Sequence, residues 1–306
     1  MRAAIELLMA VALAAQGQNT DALVARIGNA PLPPEQRQAL AAAFSQKNYA
    51  RMESILGGSG EAEPQALLGA LEFVGGRMDR AIQAFRKSDS LKTLNEPDRF
   101  TLAMALVDLG LTKPARVELS RLNEGHPDQT IYLYWLARLD YSDRLYDQSV
   151  EKLKRVIDKD PASVRGYDNL GLSYDMMGLS GEAQSAFAKA VALNRKLAAP
   201  SPWPPHNLGY LLLRLQKYQE AEENLREALK YDSRFAEAHY HLGRVLEGQG
   251  RDDEAIGEYK AAASIDIKLA EPLYSLGLLY RRRGNKPEAE IALAEYKKRK
   301  AAGDSP

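Results

Sequence analysis

Four histidines are the first candidates for chemistry in this 306-residue chain, which contains no cysteine. His239 and His241 stand two apart in a stretch of helical periodicity, so their rings leave the helix in different directions. Two metal ligands on one helix call for a separation of four. With His126 and His206 they read as solvated or groove-lining side chains. The carboxylate pairs Glu222-Glu223 and Asp252-Asp253 are adjacent in sequence, which suits a solvated face better than catalytic acids held apart. Gly57-Gly58-Ser59-Gly60 lacks the Lys-Ser/Thr that completes a phosphate-binding loop. Gly178-Leu179-Ser180-Gly181 falls one residue short of a GxSxG nucleophile elbow and sits at a helix turn. The absence of cysteine removes disulfides, thiol catalysis, thiolate metal sites and lipid attachment through sulfur. No catalytic, cofactor-binding or metal-ligating residue is assigned. The chain is expected not to be an enzyme and to need no cofactor.

These residues sit on a repeat. NLGLSYDMMGLSGEAQSAFAKAV, NLGYLLLRLQKYQEAEENLREAL, HLGRVLEGQGRDDEAIGEYKAAA and SLGLLYRRRGNKPEAEIALAEYK align without gaps. Their anchors are Leu170, Leu208, Leu242 and Leu276, and counting back in steps of 34 reaches Leu136, Leu102 and Leu68. Only the step from Leu170 to Leu208 is longer, by four residues. Each unit carries two apolar stripes of helical period. The anchor is followed by Gly or Ala, then by a bulky residue one turn on, such as Leu106, Tyr174 or Leu246. A turn residue comes next, often glycine: Gly76, Gly110, Gly178, Gly250 and Gly284. The second helix sets a small residue where the helices cross (Ala81, Ala115, Ser149, Ala183, Ala221, Ala255, Ala289). Four residues later comes a large one expected to fill the gap between units (Phe85, Leu119, Leu153, Phe187, Leu225, Tyr259, Leu293). The unit at Leu136 departs from the pattern, with Asp140 at a bulky apolar position and Arg144 at the turn glycine.

This pattern resembles the tetratricopeptide repeat family over roughly 62–302. The resemblance implies an all-α fold in which antiparallel helix pairs stack into a right-handed superhelical solenoid, its concave wall formed mainly by the first helix of each pair. Such repeats cannot bury their apolar faces singly, so stacking is the fold. The expected organisation is an N-terminal helical cap with a Gly-rich linker (18–61), then about seven units: 62–95, 96–129, 130–163, 164–197, 202–235, 236–269 and 270–303. Pro34–Leu56 reads as a degenerate helix pair. A Pro-rich insertion, 198–205, holds Trp203 and reads either as a plain four-residue insertion or as a bend exposing the indole at the groove edge.

In tetratricopeptide proteins, positions two before, two after and five after the anchor usually meet the ligand. In the first two units these are Ala66, Ala70, Phe73, Phe100, Met104 and Val107, an apolar strip that needs a cover. The chain's own N-terminal segment is the simplest cover, with a hydrophobic client as the rival. Later units are rich in Tyr and Arg, the residues that dominate binding hot spots. Tyr134, Arg138, Tyr141, Tyr210, Tyr240, Arg244, Tyr274 and Arg281 are the candidate partner-binding groove, with half-buried packing within the repeat as the alternative. The Lys/Asn/Arg carboxylate clamp of chaperone-tail receptors is missing. Asn169 and Asn207 match one element, but Trp203, Glu237 and His241 replace the flanking cations.

The expected function is a non-catalytic scaffold that binds a protein or peptide partner in its concave groove. The alternative is a self-associating structural module whose groove its own N-terminus fills. Lys plus Arg and Asp plus Glu both number 41, and this balance gives no general support to nucleic-acid or acidic-membrane binding. The basic runs Arg281–Arg283 and Lys297–Lys300 leave such binding as a third reading. They also complement a helix C-terminus and keep the last repeat soluble. Leu7–Ala15 is an apolar run followed by small residues, the layout of a secretory signal over 1–17, so a periplasmic or extracellular location is favoured over a cytoplasmic one. Nine apolar residues are too short to span a bilayer core, which needs about 20.

Overall fold

The structure is a computed structural model, and it describes residues 20–303. The segment read as a signal, 1–17, lies outside the described residues. All regular structure among those residues is helical, in seventeen helices. The chain divides into two compact units, the first ending at Asp143 and the second starting at Arg144.

The first unit contains α1 (Thr20–Gly28), α2 (Pro34–Ser45), α3 (Tyr49–Leu56), α4 (Ala62–Val74), α5 (Met78–Leu91), α6 (Glu96–Asp108), α7 (Thr112–Gly125) and α8 (Thr130–Ser142). The second contains α9 (Tyr146–Lys159), α10 (Val164–Met176), α11 (Ser180–Asn194), α12 (Trp203–Arg214), α13 (Tyr218–Tyr231), α14 (Ala236–Gly248), α15 (Asp252–Ile265), α16 (Glu271–Arg282) and α17 (Lys286–Gly303). Within each unit the strongest packing is between the two helices of a pair, α4 with α5, α10 with α11 and α14 with α15, and the next is with the following pair. In the second unit one apolar core runs through Phe187, Leu212, Leu242, Tyr259, Leu276 and Leu279.

The turns and the crossings explain the repeat's residue choices. Gly76, Gly110, Gly178, Gly250 and Gly284 all have φ between 69° and 78°, the left-handed conformation that closes a helix C-terminus. Where glycine is absent the backbone keeps the same shape: Lys47, Arg144 and Gln216 adopt φ of 52°, 62° and 58°. Arg144 thus departs from the pattern in residue type and not in conformation. Asp140, the other departure, is fully buried and accepts from Arg116 Nη1 at 2.5 Å, while Arg116 Nη2 reaches Asp143 at 2.7 Å. At the helix crossings the large residue rests on the glycine of its own pair. A Cβ at Gly171 would stand 2.5 Å from the Phe187 ring, and one at Gly243 would stand 2.7 Å from Tyr259. The large side chain therefore packs within its own helix pair, and Phe187, Leu225 and Tyr259 also belong to the core that runs from pair to pair in the second unit.

The Pro-rich stretch also differs from expectation. Trp203, Pro204 and Pro205 form the first turn of α12, so the insertion between helices ends before residue 203 and not at 205. Proline is tolerated there because the first-turn N–H groups have no intrahelical acceptor. Fully buried Asn194 closes the remaining loop by donating to the Ser201 carbonyl at 2.8 Å and accepting from the Ser201 N–H at 2.9 Å. Trp203 is half-buried, edge-on to Phe235 with ring centroids 4.7 Å apart.

Candidate functional site

The face carried by the first helix of each pair has different fates in the two units. In the first, Ala66, Ala70, Phe73, Phe100 and Met104 are at most 6% exposed. The chain's own N-terminal segment supplies cover: α1 packs on α4, burying Leu23 and Ile27, which lie one turn apart. Arg26 on α1 fixes this arrangement. Its two terminal nitrogens donate to both oxygens of Asp98 at 2.7 and 2.8 Å, and its Nε donates to Glu63 at 2.8 Å. Asp98 is 1% exposed, so the bidentate contact offsets the cost of burying a carboxylate.

In the second unit the corresponding face carries aromatic and cationic side chains, linked from one first helix to the next by polar contacts. Between α10 and α12, Asn207 donates to both oxygens of Asp168 at 3.1 Å, and Arg214 meets Asp175 at 2.5 Å. Between α12 and α14, His206 Nε2 and His241 Nδ1 are 3.0 Å apart. Between α14 and α16, Arg282 meets Glu247 at 3.0 Å. Asn207 also sets the histidine tautomers. Its amide nitrogen is committed to Asp168, so its oxygen accepts from His206 Nδ1 at 3.2 Å. His206 Nε2 is then the acceptor and His241 Nδ1 the donor. The rings lie among Trp203, Phe235, Tyr210 and Tyr240, with Tyr210 stacked on His241 at 4.4 Å. Burial pushes the His206 pKa down to about 4; burial, then His206 and Arg244, push that of His241 down to about 2. His239 points elsewhere, as its spacing implies. It bonds Glu258 at 2.6 Å and the Ser233 carbonyl at 3.1 Å, and the Glu258 contact raises its pKa.

The eight candidate groove residues are divided between the two units. Tyr134, Arg138 and Tyr141 lie on α8 in the first unit. Tyr134 is 3% exposed and edge-on to Trp135, over whose ring the Arg138 guanidinium sits at 5.0 Å. Tyr141 is half-buried. Tyr210, Tyr240, Arg244, Tyr274 and Arg281 lie in the second unit, where Tyr210 and Tyr240 both contact His241. Tyr274 is 46% exposed and Leu278, on the same stripe, 41%. Sequence reasoning missed the His206–His241 pair because it sought ligands four apart on one helix. Both residues lie just before their anchors, Leu208 and Leu242, so the repeat phase itself was the available signal.

No group of three His, Asp or Glu among the described residues could hold a metal ion. The adjacent carboxylates serve ion pairs, Glu222 with Arg226 and Arg251, Asp252 with Arg282 and Asp253 with Arg283. No helix among those residues is long and apolar enough to cross a membrane.

Two tetratricopeptide repeat family models match the chain, over residues 164–197 and 206–271. Over those residues it carries tetratricopeptide repeats. Among curated proteins, the chain is 27% identical over 125 residues to the uncharacterized protein ycf37 of Cyanophora paradoxa, covering 41% of itself and 73% of that protein. It is 24% identical over 234 residues to the BBSome complex member BBS4 of Bos taurus, covering 75% of itself but only 43% of that protein. Among solved structures, a tetratricopeptide repeat protein from Parabacteroides merdae superposes with a TM-score of 0.64 at 15% identity, covering 81% of this chain and 99% of that one. That likeness shows the all-helical repeat fold.

Proposed function

We propose that this protein is a non-catalytic scaffold that holds a peptide segment of a partner protein against the first-helix face of its second unit. The observation that carries the proposal is the contrast in exposure. In the first unit the stripe residues of α4 and α6 are mostly buried and α1 packs on α4, whereas Tyr274 and Leu278 remain 46% and 41% exposed beside half-buried Tyr210 and Tyr240. Tyrosine suits this role because its rigid side chain gives large contact area at little entropic cost. The alternative of a groove filled by the N-terminus is favoured for the first unit alone, where α1 packs on α4.

Photo-crosslinking residues placed at 240 and 274 of the full chain, followed by recovery from its native lysate, test the proposal. The expected outcome is one discrete adduct whose yield falls at least severalfold when the neighbouring Tyr210 is changed to Ala. Equal adduct yield from crosslinkers placed at 240 and on the outer surface, at exposed Lys230, would overturn it.

A further inference from the structure

We infer that the segment held by the second unit is an acidic peptide, its carboxylates received by Arg244 and Arg281; this rests on the scaffold function proposed above. The inference comes from matching the charges on that face. Each carboxylate on its three stripe positions already has a partner within the fold: Asp168 has Asn207, Asp175 has Arg214, and Glu247 has Arg282 and the Tyr259 hydroxyl. The guanidiniums do not balance them. Arg214 and Arg282 are engaged, but Arg244 and Arg281 are exposed and pair with no carboxylate among the described residues.

Their surroundings prepare them for an anion. Arg244 sits 6.0 Å from the centre of the Tyr240 ring, close enough for the ring to restrict the guanidinium without neutralising it. Burial keeps neighbouring His241 neutral, so Arg244 meets no repelling imidazolium from that side. Arg281 lies in the last turn of α16, one turn beyond exposed Leu278 and two beyond exposed Tyr274. A planar guanidinium receives a carboxylate through two parallel hydrogen bonds, a geometry ammonium groups cannot offer. Glu237 and Glu271 stand in the first turns of α14 and α16, so the two helices present carboxylates at their N-terminal ends and free guanidiniums farther along. A chain with acids and apolar residues interleaved matches Arg244, Tyr240, Tyr274, Leu278 and Arg281 together.

The test uses the full-length protein and two fluorescein-labelled twelve-residue peptides, one of three Glu-Glu-Leu-Tyr repeats and one of three Gln-Gln-Leu-Tyr repeats. Fluorescence anisotropy is expected to show the acidic peptide bound about tenfold more tightly than the neutral one, about 1.4 kcal/mol shared between two exposed charge pairs. That preference should shrink as salt rises past about 0.1 M. The R244A/R281A double variant should bind both peptides equally, and R244E/R281E should prefer a peptide of Lys-Lys-Leu-Tyr repeats. Both side chains are exposed, so an unchanged circular dichroism melt is expected for the variants. Equal binding of the acidic and neutral peptides to the wild type would overturn the acidic preference and leave the scaffold proposal standing. Binding of neither, or an acidic preference that survives in R244A/R281A, would overturn the assignment to these arginines.

Discussion

The two units build the same helix pair and treat its exposed face in opposite ways. In the first unit the part of the face on α4 and α6 is apolar, and α1 packs on α4, held by Arg26 on Asp98. In the second it is aromatic and cationic, half open, and its internal contacts run from one first helix to the next. The packing rule is common to both, since Gly69 receives the Phe85 ring as Gly171 receives Phe187. What the repeat fixes is therefore the pair. What the face does depends on residues that packing leaves free, and these are the residues on which a partner can act.

The sharpest way to break the contrast is to unseal the first unit. Arg26→Ala leaves the buried Asp98 carboxylate without its bidentate partner. Breaking a fully buried pair costs about 3–5 kcal/mol; Arg26 keeps 20% of its side-chain exposure, which places the loss nearer about 2–3 kcal/mol. Hydrogen exchange should quicken in α1 first, and a dye for exposed apolar surface should bind as Leu23, Ile27 and the α4 surface they pack on come into contact with water. A variant whose α1 exchanges as slowly as the wild type would show that Leu23 and Ile27 hold the helix without the ion pair.

Titration sharpens the contrast from the other side. His206 and His241 have folded-state pKa values below the ordinary 6.5, so their neutral forms stabilise the fold. That contribution is complete above about pH 6.5 and is lost as pH falls toward about 4. His239 has the opposite sign. Its pKa is raised by Glu258, so its contribution is complete below about 6.5 and lost as pH rises through the raised value. The buried pair dominates, and at pH 5 the second unit should be weaker by on the order of 2 kcal/mol. Urea melts or hydrogen exchange at pH 7 and pH 5 measure this, with the loss expected in α12 and α14. H206F should flatten the dependence, and an acid loss confined to the first unit would contradict it.

Much of the fold was legible because the repeat forces local and global demands to agree. The leucine anchors, the five turn glycines and the small crossing residues each answer a steric requirement met every 34 residues. The contacts that distinguish the units were not legible, because they join positions far apart for which no local pattern exists. Arg26 meets Asp98 across 72 residues, and Asn194 ties down a loop through Ser201 that no periodicity marks. Tyr134 and Tyr240 occupy the same stripe position, yet one is 3% exposed and the other half-buried. Phase alone names the position, while the neighbours decide whether a ligand can reach it.

The smallest effect tests whether the shared rule is conformational. Lys47 in the first unit and Arg144 and Gln216 in the second hold the left-handed turn without glycine. A non-glycine residue pays about 1–2 kcal/mol for that conformation. Glycine removes the strain but adds freedom to the unfolded chain, which takes back about 0.4–1 kcal/mol. Lys47→Gly, Arg144→Gly and Gln216→Gly should therefore each stabilise the protein by about 0.5–1 kcal/mol, read as a small rise in the urea midpoint at constant slope. Gly178→Ala should do the reverse, because its φ of 77° strains any side chain even though nothing lies within 4 Å of the added methyl. If the three glycine variants were destabilised instead, the side chains of Lys47, Arg144 and Gln216 would be holding the turns through their own contacts. The two units would then differ in how each pair closes as well as in the face it presents.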